Sequence, residues 1–315
     1  MVSADVVKTV LSTCLRLKSK ESCLIVTDTI KQELARPFYY YAKTITENAR
    51  LAVMEPRSRN GEEPTEEIRQ LMLKHDVQIL LTDKSLSHTD ARRKASATGA
   101  RITTMPGISE EIMERCIPLD YQALKERNRK LRETIIGSHD IHITTPAGTD
   151  MHIAVTETHG ESPGIYTECG AFGNLPSGEV DSGVVLEKTY GTLVVDKSMA
   201  GLGKLNSPLK ITIKDGKAVS IEGERSDELK EMLDAIGADA YIIAELGIGT
   251  NDKAIVSGKT LEDEKVLGTF HMALGNDVTY GGHNDVPIHL DGVCANPTII
   301  IDGRRVMEDG KLLID

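Results

Sequence analysis

Residues 21–28 read ESCLIVTD, an apolar run closed by a polar turn residue, and this texture decides the architecture of the first third of the chain. Three later stretches repeat it: ARLAVMEP at 49–56, DVQILLTD at 76–83 and ARITTMPG at 100–107. Between them, TIKQELARPFYYYAKTITENA (29–49), TEEIRQLMLKH (65–75) and HTDARRKASATG (88–99) carry helical spacing. Buried strands that alternate with helices predict a small doubly wound domain, an α/β unit with a parallel sheet and crossover helices. No GxGxxG follows the first strand and no GxxxxGK[ST] occurs, so a nucleotide site has no motif support. Ligand contacts of this domain, if it makes any, are expected at the carboxyl ends of its strands.

Outward from that core the pattern changes. YQALKERNRKLRETIIG (121–137) reads as a charged helix that bridges two domains, 1–137 and 138–315. Beyond it, HDIHITTPAGTDMHIAVTE (139–157) alternates apolar and polar residues like a hairpin. SPLKITIKDGKAVSIEGE (207–224) does so again, with Asp215-Gly216 as its turn, and TIIIDGRRVMEDGKLLID (298–315) turns at Asp302-Gly303. RSDELKEMLDAIGAD (225–239) reads as one capped helix. The second domain is therefore expected to be α+β and mostly antiparallel.

Composition narrows the function classes. Aromatic residues make up only 3% of the chain and Trp is absent, so the core must be aliphatic. A formal net charge of −11 disfavours nucleic acid and anionic membrane surfaces as general partners. No apolar run is long enough for a transmembrane helix. The N-terminal MVSADVVKTVLSTCLRLKSK reads as an amphipathic helix, since its basic cluster follows the apolar stretch instead of preceding it. Five cysteines without a CxxC pair suit a reducing cytoplasm and unpaired thiols, most of them small buried hydrophobes.

The densest set of metal-ligand side chains lies between Glu179 and Asp291. His289 and Asp291 in PIHLDG are two apart, so on a strand they share a face and can chelate one ion. Alone, H-x-D reads more readily as a solvated pair. His271 lies in the apolar FHMALG, where an inward imidazole is costly unless paired or bound, and a satisfied core histidine is the blander alternative. Glu245 ends the apolar run AYIIAELGIGTN, and burying such a carboxylate without a cation is expensive. Glu179 follows a Gly/Pro-rich loop in GAFGNLPSGEV, and it also fits a solvated surface turn. Together, three carboxylates and two imidazoles form a mixed oxygen and nitrogen set suited to Zn, Mn, Co or Fe. By charge balance, three carboxylates and a bridging hydroxide favour two divalent ions over one.

GNLPSGEV, AELGIGTN, DEKVLGTFHMALG and NDVPIHLDGV resemble, in order, motifs of the metalloaminopeptidase family of aminopeptidase T and aminopeptidase S. The resemblance implies that Glu179, Glu245, His271, His289 and Asp291 bind two divalent ions, Zn, Co or Mn. It implies Glu264 as the general base and Tyr280 as a second catalytic residue, and it implies a homodimer. LGIGTN, EKVLGT and YGGHND are also similar to a branch of the same fold, the dihydroxypyridine ring-cleaving dioxygenases. That likeness implies a single Fe(II) held by His271, His289 and Asp291.

The leading expectation is a cytoplasmic metallohydrolase that removes N-terminal residues from a small peptide or amide substrate through a metal-activated water. The alternative is a mononuclear Fe(II) dioxygenase of the 2,5-dihydroxypyridine type. A non-catalytic binding protein on the same fold is the third.

Overall fold

The computed structural model describes residues 2–314, which form two compact units. One comprises Met1–Tyr121 with Pro163–Ser177, and the other Gln122–Ser162 with Gly178–Asp315. The division therefore falls near residue 121 instead of 137, and the first unit takes in a later segment that the sequence pattern assigns to the second. The physical reason is the short strand Phe172–Asn174, which pairs in parallel with Arg101–Thr104 and extends the first sheet.

That sheet has five parallel strands, in the order 49–54, 23–28, 77–81, 101–104, 172–174. Cys23–Asp28 and Val77–Leu81 are buried along their whole length, which is why they read as continuous apolar runs. Ala49–Met54 lies at the sheet edge and is only partly buried. The crossover helices Glu66–Met72 and Asp90–Ala97 begin at Thr65 and Thr89, whose hydroxyls accept from the backbone N–H three residues on and satisfy an otherwise unpaired donor.

The second unit holds two antiparallel sheets around one aliphatic core. Eight strands follow the order 217–223, 209–214, 190–195, 150–153, 141–144, 298–301, 304–308, 311–312. Seven follow the order 203–204, 198–199, 289–295, 269–275, 243–249, 179–184, 155–161. All three expected hairpins are present: Ile141–Thr144 pairs with Asp150–Ile153, and the other two turn at Asp215-Gly216 and Asp302-Gly303, both in the left-handed backbone region that a tight hairpin turn needs. A third turn of this kind, Asp309-Gly310, leads into the short strand Lys311–Leu312. The helix Ser226–Asp234 forms as expected but lacks a side-chain cap; Arg225 stands at its start in a left-handed conformation and pairs with Glu228.

The seven-stranded sheet has two contrasting faces. Val180, Leu246, Ile248, Phe270, Met272, Leu274, Leu290 and Cys294 point into the core shared with the other sheet and with Leu131 and Ile135 of the helix Tyr121–Ile135. The alternate positions on the same strands carry Glu179, Asp181, Glu245, His271, His289 and Asp291, separated by Gly247, Gly249, Ala273 and Gly275. Among the described residues no helix is long and apolar enough to cross a membrane. Cys14, Cys23, Cys116 and Cys294 are buried, whereas Cys169 is exposed.

Candidate metal centre

Strand pairing assembles the polar face. His271 stands opposite Gly247, which stands opposite Asp181; Asp291 stands opposite Ala273, and His289 opposite Gly275. The small residues are what make room for the large ones. A Cβ at residue 247 would fall 2.1 Å from His271 Nε2, so only glycine lets the imidazole lie across that strand. His271 is thus buried on the polar face and not in the aliphatic core.

The five expected ligands converge. His289 Nε2 lies 3.0 Å from Glu245 and 3.4 Å from Asp291, and His271 Nε2 lies 3.5 Å from Glu245 and 3.8 Å from Glu179. Ligand atoms of Glu245, His271 and Asp291 all lie within 4.8 Å of one another, and all three residues are buried. Two ligands that share one ion at about 2.0–2.2 Å are themselves separated by roughly 3.0–3.5 Å. The donor types and their spacing therefore fit a divalent metal ion. His289 Nδ1 donates to the Asn276 carbonyl at 2.8 Å, which fixes the tautomer and leaves Nε2 as the atom facing the carboxylates.

The second strand of support is backbone. Asn128, fully buried, donates to the carbonyls of Ser162 and Glu179 and accepts from the Thr250 hydroxyl, which pins the ends of the strands that carry Glu179 and Glu245. On the other side, the Val278–Tyr280 turn places the Tyr280 ring parallel to His289, with centroids 5.7 Å apart. Tyr280 thus reaches the site that the resemblance assigns it to.

Glu264 is also present, but in company that the sequence reading omitted. The helix Thr260–Asp263 ends just before it. Glu262 and Asp263 turn inward and accept backbone N–H groups of Ile255, Ser257 and Gly258, so they hold a loop. Lys265, with no exposed surface, places its ammonium 2.5 Å from Glu179 and 2.6 Å from Glu264. Asp181, two residues beyond Glu179 on the same face, is the other addition. Its signal was the period-two spacing in EVDSGV, whereas Lys265 looked like one more charge in a polar run.

The electrostatics divide these acids into two groups. Burial pushes Glu245 up, but hydrogen bonds from His271 and His289 outweigh it and hold the carboxyl well below the usual range. Asp291 is likewise pushed up by burial and brought below its ordinary value by His289. Glu264 is raised to about 7, by burial and by the charges of Glu179 and Asp291, with Lys265 opposing. Asp181 is raised well above its ordinary value by burial and by Glu245 and Glu179. Burial would lower Lys265, but Glu179 and Glu264 keep it firmly charged.

Comparison with known proteins shows the family and the fold. The family described as NicX, 2,5-dihydroxypyridine 5,6-dioxygenase, matches residues 5–314. The solved 2,5-dihydroxypyridine dioxygenase from Pseudomonas putida KT2440 superposes with a TM-score of 0.85 at 17% identity, covering 98% of this chain and 96% of that one. AmpT from Thermus thermophilus superposes with a TM-score of 0.72 at 17% identity, covering 98% and 99%. These likenesses show a common fold. Aminopeptidase PepS from Streptococcus thermophilus is 24% identical over 194 residues, 54% of this chain and 46% of PepS, so the chain spans about half the length of that curated relative. Family and neighbours together indicate an enzyme, with both a dioxygenase and an aminopeptidase among the relatives.

Proposed function

Because the chain belongs to the family described as NicX, 2,5-dihydroxypyridine 5,6-dioxygenase, we propose that it is a mononuclear metal-dependent oxygenase that opens a small hydroxylated aromatic ring. The observation that carries this reading is the buried ammonium of Lys265 between Glu179 and Glu264. A second divalent ion near Glu179 would have to share that space with a fixed positive charge. One divalent ion and one lysine supply +3, against −3 from Glu179, Glu245 and Asp291, while Glu264 and Asp181 are the carboxyls that burial drives toward the neutral form. On this ground we place the oxygenase ahead of the hydrolase that the sequence motifs put first.

His271, His289 and Asp291 would hold the ion, as the two-histidine, one-carboxylate set of oxygen-using iron enzymes does. When bound, Fe(II) supplies the one-electron chemistry that couples dioxygen to an electron-rich ring. The protein's own groups do the rest. Glu264, poised near neutrality, takes the proton of a ring hydroxyl, and Lys265 stabilises the carboxylate form before that transfer. Tyr280 stays protonated because burial pushes it far up, so its hydroxyl acts as a donor. Its ring also keeps His289 in place.

Aminopeptidase-like hydrolysis of a small peptide or amide remains the second reading, on the strength of the same Glu264 beside a carboxylate-rich site. In that case Zn, Co or Mn would occupy the site, and Lys265 would limit it to one ion. A single experiment, with anaerobic metal loading followed by exposure to oxygen, separates the two. The protein is loaded with Fe(II), and substrate-dependent oxygen uptake is followed with dihydroxypyridines and related diols. In parallel, aminoacyl amides are assayed with Zn, Co or Mn. Oxygen uptake with one iron per chain supports the oxygenase; amide cleavage without oxygen uptake rejects it. His289→Ala should lose the ion in either case.

A further inference from the structure

We infer a second divalent-metal site on the open face of the eight-stranded sheet, built by His142, His152 and Asp150. It is separate from the buried centre in sheet and in residues, and it stands or falls independently of the activity proposed above. His142 and His152 face each other directly across the antiparallel strands Ile141–Thr144 and Asp150–Ile153. Their rings are 4.4 Å apart and almost parallel, at 4°. Ligand atoms of His142, Asp150 and His152 all lie within 4.8 Å of one another.

The surrounding hydrogen bonds orient one ring and leave the other to move: in-plane lone pairs of near-parallel rings do not meet, so His142 turns out of the stack as the ion binds. His152 Nδ1 lies 3.1 Å from Asp140, and an ionised carboxylate only accepts, so this nitrogen carries the hydrogen and Nε2 keeps its lone pair. A carboxylate that orients a ligating histidine through its other nitrogen is a recurrent feature of metal sites. His142 Nε2 lies 2.8 Å from Asp150 Oδ1. An ion that enters between these two atoms takes the place of the shared hydrogen, and the ring proton moves to Nδ1. Tyr190, opposite His152 on the next strand, stacks on the outer side of that ring with centroids 5.3 Å apart and limits its rotation.

Two imidazoles and one carboxylate select for Zn, Ni, Cu or Co over Mg or Ca. The site is accessible, since His142 and His152 expose about a third of their side chains and Asp150 exposes 69%. The remaining positions would be filled by water. The neighbours Ile141, Ile143, Met151 and Ile153 point the opposite way into the core, so changing the histidines leaves the packing of both strands intact.

The test is a Zn2+ titration of the full chain after chelation, with stoichiometry read by calorimetry and elemental analysis. The wild type should bind one more ion per chain than His142→Gln/His152→Gln. Asp140→Asn should retain the ion but weaken it about 10- to 100-fold. Replacement of Zn2+ by Co2+ should give visible absorption beyond that of the buried centre, and the double variant should lack this added absorption. Equal stoichiometry in wild type and double variant, with folding of both verified by circular dichroism, would overturn the proposal.

Discussion

The ammonium of Lys265 lies 2.5 Å from a carboxylate oxygen of Glu179, and neither partner has more than a small exposed surface. A buried charge of this kind survives only when its partners compensate the loss of water, and here Glu179 and Glu264 both do so.

Replacement of Lys265 by Met removes that compensation and leaves two carboxyls facing each other. In the metal-free protein this should cost about 3–5 kcal/mol, read by chemical denaturation, because an unpaired buried charge is left behind. The same change should open the space for a second divalent ion. Metal stoichiometry, measured in the His142→Gln/His152→Gln background so that only the buried centre is counted, should rise from one to two, with recovery of much of the lost stability when metal is added. A buried centre that still binds one ion would show that the lysine does not set its metal count.

Gly247→Ala probes the site from the other side. The glycine has ordinary strand backbone, so the substitution carries no conformational strain; its cost is the collision of the new methyl with His271 Nε2. We expect a folded protein with unchanged far-ultraviolet circular dichroism whose metal affinity falls by about two orders of magnitude, corresponding to roughly 3 kcal/mol. Wild-type affinity would mean that His271 can coordinate from another position.

These two residues also mark what a sequence reveals. The parallel sheet was legible because its central strands are buried throughout, so each appears as an unbroken apolar run. Glu245 and His271 were legible because a polar residue inside such a strand is expensive and must be explained, and Asp291 because its two-residue spacing from His289 puts both on one strand face. Lys265 was not, since it follows Asp263 and Glu264 in a run that resembles a solvated helix end; only the termination of the helix at Asp263 turns it inward. The return of residues 163–177 to the first unit was hidden for the opposite reason: Phe172–Asn174 is too short and too polar to show any period.

Away from the site, Arg101 makes two hydrogen bonds to the Glu21 carboxylate, at 2.9 and 2.7 Å, while its Nε donates to the Leu15 carbonyl. Burial raises Glu21, but Arg101 and the Lys18 backbone outweigh it and hold the carboxyl below its ordinary value. A carboxyl with a depressed folded value contributes stability above the unfolded value and loses it as pH falls through the folded one. Glu21→Gln should therefore be less stable by about 1–3 kcal/mol at neutral pH. The gap should close as the pH drops below about 4. A pH-independent gap in denaturation midpoints would point to lost packing instead of lost charge.

Metal uptake should release protons. Burial lowers His271, but the hydrogen bond and charge of Glu245 reverse this and raise it to about 9; Asp291 and Glu245 likewise hold His289 well above its ordinary value. In the metal-free protein both imidazoles are therefore protonated near neutrality, whereas a ligating imidazole must be neutral. Binding of one ion at about pH 7.5 should expel about two protons. Apparent affinity should climb with pH at least until the value of His271, about 9, is passed. Calorimetric titration in two buffers of different ionisation enthalpy measures the proton count directly. The two histidines are the source if His289→Ala removes both the ion and the proton release; binding with no proton exchange would exclude His271 and His289 as ligands.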